Sequence, residues 1–415
     1  MTLVPVAAGK NTKSAVAANK LIVPGFRAAA ASAGIKKGQQ PDLALITAIR
    51  PAAAAGVFTT NRVKAAPVVI SRERLRSGRA QALLVNSGNA NACTGAQGLE
   101  AAWEASHWIA RYLNIPDRLV LPASTGVIGQ KLPTGKILAA LPDLVTRLDP
   151  EGLSEVAQAI MTTDTFAKTA QIDGHIGDHP LTVAGIAKGA GMIHPRMATL
   201  LAFIFTDAAI SPSLLKTYLK AGLAQSFNRI SVDGDTSTND TVIVMASGQA
   251  RNQLLDRPDS AAGQDFATLL HQVMADLAVQ IVRDGEGAQR CYRVIVDGAV
   301  NAVEARKAAA TVATSPLVKT AVTGADANWG RIMAALGRSG ARFDPEQVDI
   351  FFGPHQVVRN GQAIGPAAEL DFGDLPELKD PLLKDSPLED LCALYIARLQ
   401  NLLDEARLYF IGEKV

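Results

Sequence analysis

The run Lys188-Gly189-Ala190-Gly191-Met192-Ile193-His194-Pro195-Arg196-Met197-Ala198-Thr199 leads straight into the apolar stretch Leu200–Thr206. A threonine at the mouth of a buried strand has two readings. It is either a β-branched residue with good strand propensity, or a hydroxyl nucleophile that needs a base. The glycines and Pro195 in front of it suggest a special backbone path, where strain can be stored. Other chemistries find less support. Gly135-Lys136 has Gln130 where a phosphate-binding loop needs its first glycine and Ile137 where it needs a hydroxyl. Gly189-Ala190-Gly191 begins like a dinucleotide fingerprint but has His194 where the third glycine belongs, and neither HExxH nor GxSxG occurs. His175 and His179, among Asp173 and Asp178, carry metal-ligating groups, yet their Gly-rich polar surroundings read as a solvated loop. His107, His194, His271 and His355 have no carboxylate or nucleophile partner nearby in sequence, so no Ser-His-Asp triad can be assembled by reading.

The elements around these residues alternate between extended and helical patterns, as in an α/β protein. Ala82–Val85, Leu119–Pro122, Leu200–Thr206, Leu317–Val322 and Val348–Phe352 read as strands. The first two end in the turns Asn86–Asn91 and Ala123–Gly126. A helix is expected over Gly98–Leu113, and another from the Ser211-Pro212 start to Phe227. Phe266, Leu270, Val273, Leu277 and Ile281 mark an amphipathic helix ending near Gly285. Asp256–Gly263 reads as a surface loop and Gly373–Pro387 as a linker. Ser386-Pro387-Leu388-Glu389 has a capping-box pattern, and apolar residues follow it at helical spacing, which predicts a terminal helix over 386–409.

Composition narrows the function classes. Hydrophobic residues make up 48% of the 415, which excludes a mostly disordered chain. Lys+Arg 41 against Asp+Glu 39 gives a net charge of +2, and aromatics are only 5%, so nucleic acid is a poor partner. Cys93, Cys291 and Cys392 are too few and too far apart for a disulfide framework or a zinc site, and they fit a reducing compartment. Met1–Lys20 lacks the continuous apolar core of a signal peptide, and no run approaches a membrane span. A cytoplasmic protein without a membrane partner is expected.

The Lys188–Thr199 run resembles the KGxGMIxPxMAT signature of the ornithine acetyltransferase family, the bifunctional glutamate N-acetyltransferases of arginine biosynthesis. Further blocks resemble the family in its order: Ala55–Thr59, Asn86–Gly95, Ser124–Gly129, Met161–Thr165, Ser231–Asp240, Asp284–Ala288 and Asn328–Arg331. The resemblance implies an N-terminal-nucleophile-like α/β fold of two stacked mixed sheets flanked by helix layers. It implies self-cleavage between Ala198 and Thr199 into an N-terminal (alpha) chain, 1–198, and a C-terminal (beta) chain, 199–415. Cleavage exposes an α-amino group of reference pKa about 7.7–8.0, close enough to neutrality to serve as base for the Thr199 hydroxyl. Thr125 and Gly126 match the oxyanion-hole positions, and Thr162, Lys188, Thr199 and Glu286 the substrate-binding ones.

The implied reaction is ping-pong transfer of acetyl from N-acetylornithine to glutamate through an acetyl-threonine ester. Acetyl-CoA is a second conceivable donor, with no metal or bound cofactor, and the implied assembly is a heterotetramer of two alpha and two beta chains. The sequence departs from the family at Ala167, at Gln289-Arg290, and in its tail, which has no threonine after Thr323. Two rivals remain: a catalytically weakened relative with an assembly or partner-binding role, and an amide hydrolase that uses water as acceptor.

Overall fold

The computed structural model describes residues 21–194, 200–324, 326–353 and 355–365, and the backbone of 392–397 and 406–407. The expected nucleophile Thr199 and cleavage partner Ala198 therefore lie outside the described residues, as does the linker Gly373–Pro387.

The first half of the chain forms β1 (Phe26–Ala31), β2 (Leu43–Phe58), α1 (Ala66–Arg74), β3 (Arg79–Asn89) and α2 (Gly95–Leu113). It continues with β4 (Val120–Val127), α3 (Thr134–Thr146), α4 (Leu153–Ala159), β5 (Lys168–Ile176) and β6 (His179–Lys188). Next come β7 (Leu201–Thr206), α5 (Pro212–Gln225), β8 (Thr241–Ala246) and α6 (Ala261–Arg283). Eight strands make one mixed sheet in the order β4-β3-β2-β8-β7-β6-β5, with β1 against β2.

That sheet folds over on itself through β2. The first half of β2 pairs with β1 and β3 and the second half with β8, with a register shift between Thr47 and Ala52 around Arg50-Pro51. Side chains alternate accordingly. Leu201, Phe203 and Phe205 of β7 and Ile243 and Met245 of β8 meet Phe26, Ala28, Ile46, Leu83 and Val85 of the other half in one core between the layers. Phe26 and Phe205 touch there, with ring centroids 5.1 Å apart. The opposite faces pack outward: Ile204 and Val244 under α5 and α6, Leu45 and Leu84 under α2 and α3. The expected two stacked mixed sheets between helix layers are thus present, with β2 belonging to both.

The last third, α7 (Ala302–Ala313), α8 (Pro316–Thr323) and α9 (Trp329–Gly337), packs on a second sheet. Its strands are β9 (Tyr292–Val296), β10 (Asp349–Phe352), β11 (His355–Arg359), β12 (Gln362–Ala363), β13 (Cys392–Ala397) and β14 (Ala406–Arg407).

Two sequence expectations need correction here. Leu317–Val322 is helix α8, not a strand; Ser315-Pro316 is the same helix-start signal as Ser211-Pro212, and Pro316 occupies the first turn. The predicted terminal helix is also interrupted. Cys392–Ala397 is a strand, parallel to β9 on one side and antiparallel to β10 on the other. Leu391–Ala397 is a continuous apolar run, which suits an interior strand as well as a helix, and the tertiary pairing decides between them. Ser386 to Leu391 lie outside the described residues. The Gly-rich loop around His175 and His179 is the tip of the β5–β6 hairpin, where Ile176 faces His179.

Phe205→Ala should lower the unfolding free energy by about 3–5 kcal/mol, because both layers close on that ring. The check is a shifted urea midpoint at an unchanged slope.

Candidate active site

Three strand ends align at one edge of the layer formed by β5 to β8. Lys188, the last residue of β6, is opposite Leu201 of β7, and Leu201 is opposite Thr241, the first residue of β8. The signature begins at Lys188, so its described part, Lys188 to His194, leaves from this edge, and Leu200 returns to it. Leu200 is gripped on both of its backbone groups: its N–H donates to Asp240 Oδ1 at 3.1 Å, and its carbonyl accepts from Thr241 N–H at 3.0 Å. The residue next to Thr199 is therefore fixed from β8.

Asp240 is fully buried, and its Oδ2 has no hydrogen-bond partner among the described residues. Burial pushes its carboxyl well above the usual range, against the bond from Leu200 N–H and the charge of Lys188. The adjacent Asn239 ties this strand end to the other layer, donating to Ser124 O and Ala90 O, each at 2.7 Å.

Ser124 precedes the expected oxyanion pair. Thr125 is buried and Gly126 is exposed at the end of β4, opposite Ser87 and Gly88 of β3. Gly126 has φ +136, and a Cβ there would overlap the backbone of Gly88 and Asn89. Only glycine fits, because the backbone of β3 approaches too closely there for any side chain.

The expected substrate residues form a second group. The Lys188 side chain is buried, 4.0 Å from Asp164 Oδ2. Burial pushes the Lys188 ammonium down, opposed first by Asp164. Asp164 Oδ2 accepts the Thr162 N–H at 2.9 Å, and its Oδ1 accepts the Gly189 N–H at 2.7 Å and Lys168 Nζ at 2.7 Å. Burial alone would raise the Asp164 carboxyl; the charges of Lys188 and Lys168 and these hydrogen bonds overcome it and hold the carboxyl at about 2. Lys168 also reaches Asp284 Oδ2 at 2.5 Å, and Asp284 accepts from Thr165 N–H and Oγ1.

Two residues beyond Asp284, Glu286 is exposed, and its N–H donates to Ala190 O at 2.7 Å. A side chain at Gly191 would overlap the Glu286 carboxylate, so that carboxylate lies against the signature. Thr162, Lys188 and Glu286 are thus brought together at the edge where β6 ends, and Thr125 and Gly126 are tied through Asn239 and Asp240 to Leu200.

Asp164, Lys168, Asp284, Asn239 and Asp240 were not among the expected site residues. Four of them fall in blocks that resemble the family, but no spacing rule joins Lys168 to Asp284 across more than a hundred residues. Two histidines are engaged elsewhere, His107 Nδ1 2.8 Å from Asp117 and His271 Nε2 2.9 Å from Tyr218 O, whereas His194 of the signature lies with Nδ1 3.3 Å from Ser231 Oγ. No cluster of three or more His, Cys, Asp or Glu able to hold a metal occurs among the described residues, and no helix among them is long and apolar enough to cross a membrane.

The layered α/β scaffold thus sets a buried lysine and an exposed carboxylate beside a glycine-rich strand connection. Comparison with known proteins identifies the family. A model of the ArgJ family matches residues 27–372. The arginine biosynthesis bifunctional protein ArgJ of Syntrophotalea carbinolica is 49% identical over 354 residues, 85% of this chain and 89% of the relative. That of Geobacter sulfurreducens is 50% identical over 347 residues, 84% of this chain and 88% of the relative. Among solved structures, an ornithine acetyltransferase from Mycobacterium tuberculosis complexed with ornithine is 38% identical, covering 42% of this chain and 92% of that one, with a TM-score of 0.37. The chain belongs to the ArgJ family.

A raised carboxyl at Asp240 makes a signed prediction. Such a group contributes stability that is fully present below its unfolded pKa and lost as pH rises through the folded one. Asp240→Asn keeps an acceptor for the Leu200 N–H but cannot ionise, so its stability relative to wild type should improve as pH rises from about 4, the unfolded carboxyl range, and level off once the folded carboxyl has ionised. Paired urea titrations from mildly acidic to alkaline pH check this.

Proposed function

We propose that this chain is a glutamate N-acetyltransferase of the ornithine acetyltransferase type, acting in arginine biosynthesis. The carrying observation is the convergence of the buried Lys188 ammonium and the exposed Glu286 carboxylate on the segment that leads to Thr199. N-acetylornithine presents the complementary pair, an α-carboxylate for the lysine and a side-chain ammonium for the glutamate. An amino-acid-sized substrate held at both ends brings its acetyl group to one place.

The chemistry follows from a threonine that carries its own base. Thr199 Oγ attacks the carbonyl before it, the peptide becomes an ester, and water hydrolyses that ester to leave Thr199 as an N-terminus. Its α-amine then takes the hydroxyl proton as Oγ attacks the acetyl carbonyl of N-acetylornithine. The developing oxyanion is met by the Thr125 hydroxyl and the Gly126 N–H, each such donor being worth about 10²–10³ in rate. Ornithine leaves, the acetyl-threonine ester remains, and the amine of glutamate attacks it. The anchoring of Leu200 by Asp240 and of Ser124 by Asn239 supports this arrangement, because it links the residue beside the nucleophile to the strand end carrying the donors. The same reading includes assembly of two alpha and two beta chains.

Two outcomes are expected. Wild-type protein should run as two fragments on a denaturing gel and Thr199→Ala as one full-length chain; a wild type that stays whole after long native incubation removes the nucleophile assignment. Glu286→Ala should still cleave, yet lose kcat/KM for acetylornithine by the equivalent of about 1.5–3 kcal/mol, the worth of a charged contact. Measuring acetylglutamate against free acetate separates transfer from hydrolysis.

A further inference from the structure

We infer that Asp164 is a positioning residue for Lys188, and that Lys168, shared between Asp164 and Asp284, balances the pair so that Lys188 presents a charged ammonium to substrate. The inference rests on the reading of Lys188 as the carboxylate clamp, and it adds residues that the reading leaves without a role.

The geometry is specific. One carboxylate, Asp164, accepts the Thr162 N–H, the Gly189 N–H directly after Lys188 and Lys168 Nζ, and lies 4.0 Å from Lys188 Nζ. Lys168 and Asp164 have side chains that are 0% exposed and Asp284 2%, so these charges interact with little screening by water. A buried ammonium tends to lose its proton unless an opposite charge holds it. Among the described residues, the charged groups facing Lys188 are Asp164 before β5, Lys168 on β5, Asp240 before β8, Glu286 after α6 and Lys36 before β2. Asp164 is first among those that favour the charged form, whereas Lys168 opposes it. Lys168 therefore acts in two directions. It keeps Asp164 ionised and in place, and as a like charge it sets an upper limit on how firmly Lys188 holds its proton.

Those opposite signs provide the test. In the wild type, KM for acetylornithine should rise at high pH as Lys188 loses its proton. Asp164→Asn removes the favourable charge, so that rise should move to lower pH. Lys168→Gln removes the like charge while keeping a donor, so the rise should move to higher pH. Asp164→Glu, which keeps the charge, should return the profile toward wild type. Circular dichroism and self-cleavage on a gel report whether each variant is folded.

A residue that served packing alone would lower activity at every pH and leave both profiles in place, and that result overturns the inference. So do shifts of the same sign in both variants, and so does failure of both to fold, which assigns the charges to folding. If one variant fails, the sign of the other's shift decides. Lys188→Ala separates the two levels: an unchanged KM there sinks the clamp itself, while a raised KM with unshifted profiles in the other variants sinks only the role of Asp164 and Lys168.

Discussion

The ion triad of Asp164, Lys168 and Asp284 is the constraint on which the site depends. Removing three charges from water costs several kcal/mol for each, and only close, fully hydrogen-bonded geometry offsets that cost. Here every member is satisfied: Lys168 bridges both carboxylates, and the spare lone pairs take N–H groups from Thr162, Thr165 and Gly189. Breaking such a group typically costs about 3–5 kcal/mol, because an uncompensated charge stays buried. The triad therefore behaves as a rigid joint. It fastens the start of β5, the end of β6 and the end of α6, the three places from which Thr162, Lys188 and Glu286 project.

The layers give that joint its orientation. Because β2 runs through both halves of the folded sheet, the register of β8 against β2 is set by the same strand that fixes β1 and β3. The row of Lys188, Leu201 and Thr241 is then determined by strand pairing alone, and a slip of one residue would turn Phe203 and Phe205 out of the core. Asn239 spans from this row to Ser124 with two hydrogen bonds, so the strand end that carries Thr125 and Gly126 is held against the same reference.

Much of this was legible in the sequence where local chemistry determines the outcome. Ser211-Pro212 capped a helix as expected, with Ser211 Oγ accepting from Leu214 N–H, and the apolar spacing of Phe266 to Ile281 gave α6. The candidates Thr125, Gly126, Thr162, Lys188 and Glu286 come from the family resemblance alone; a single lysine or glutamate carries no local mark of a site. What stayed hidden was long-range. Lys168 begins a strand and has no local feature to mark it as buried, since its partner Asp284 lies just past the end of α6. The last strand was hidden for a related reason: Cys392–Ala397 has helical spacing and apolar continuity at once, and only β9 and β10 decide between them.

The central place of β7 and β8 has a consequence for maturation. A cut before Thr199 would assign β1–β6 to one fragment and β7 onward to the other, yet β7 and β8 lie between β6 and β2 in the same sheet. The first fragment would own the β1–β4 layer but only part of the other, and the face of the inter-layer core opposite Phe26, Ile46 and Leu83 would come largely from the second fragment. The severed pieces would stay interleaved while folded, but once unfolded they would have to find each other again in solution. Their recovery would then depend on protein concentration, whereas that of the uncut chain would not. Folding first and cutting afterwards would make the native state a product of history, reached as one molecule and thereafter held as two.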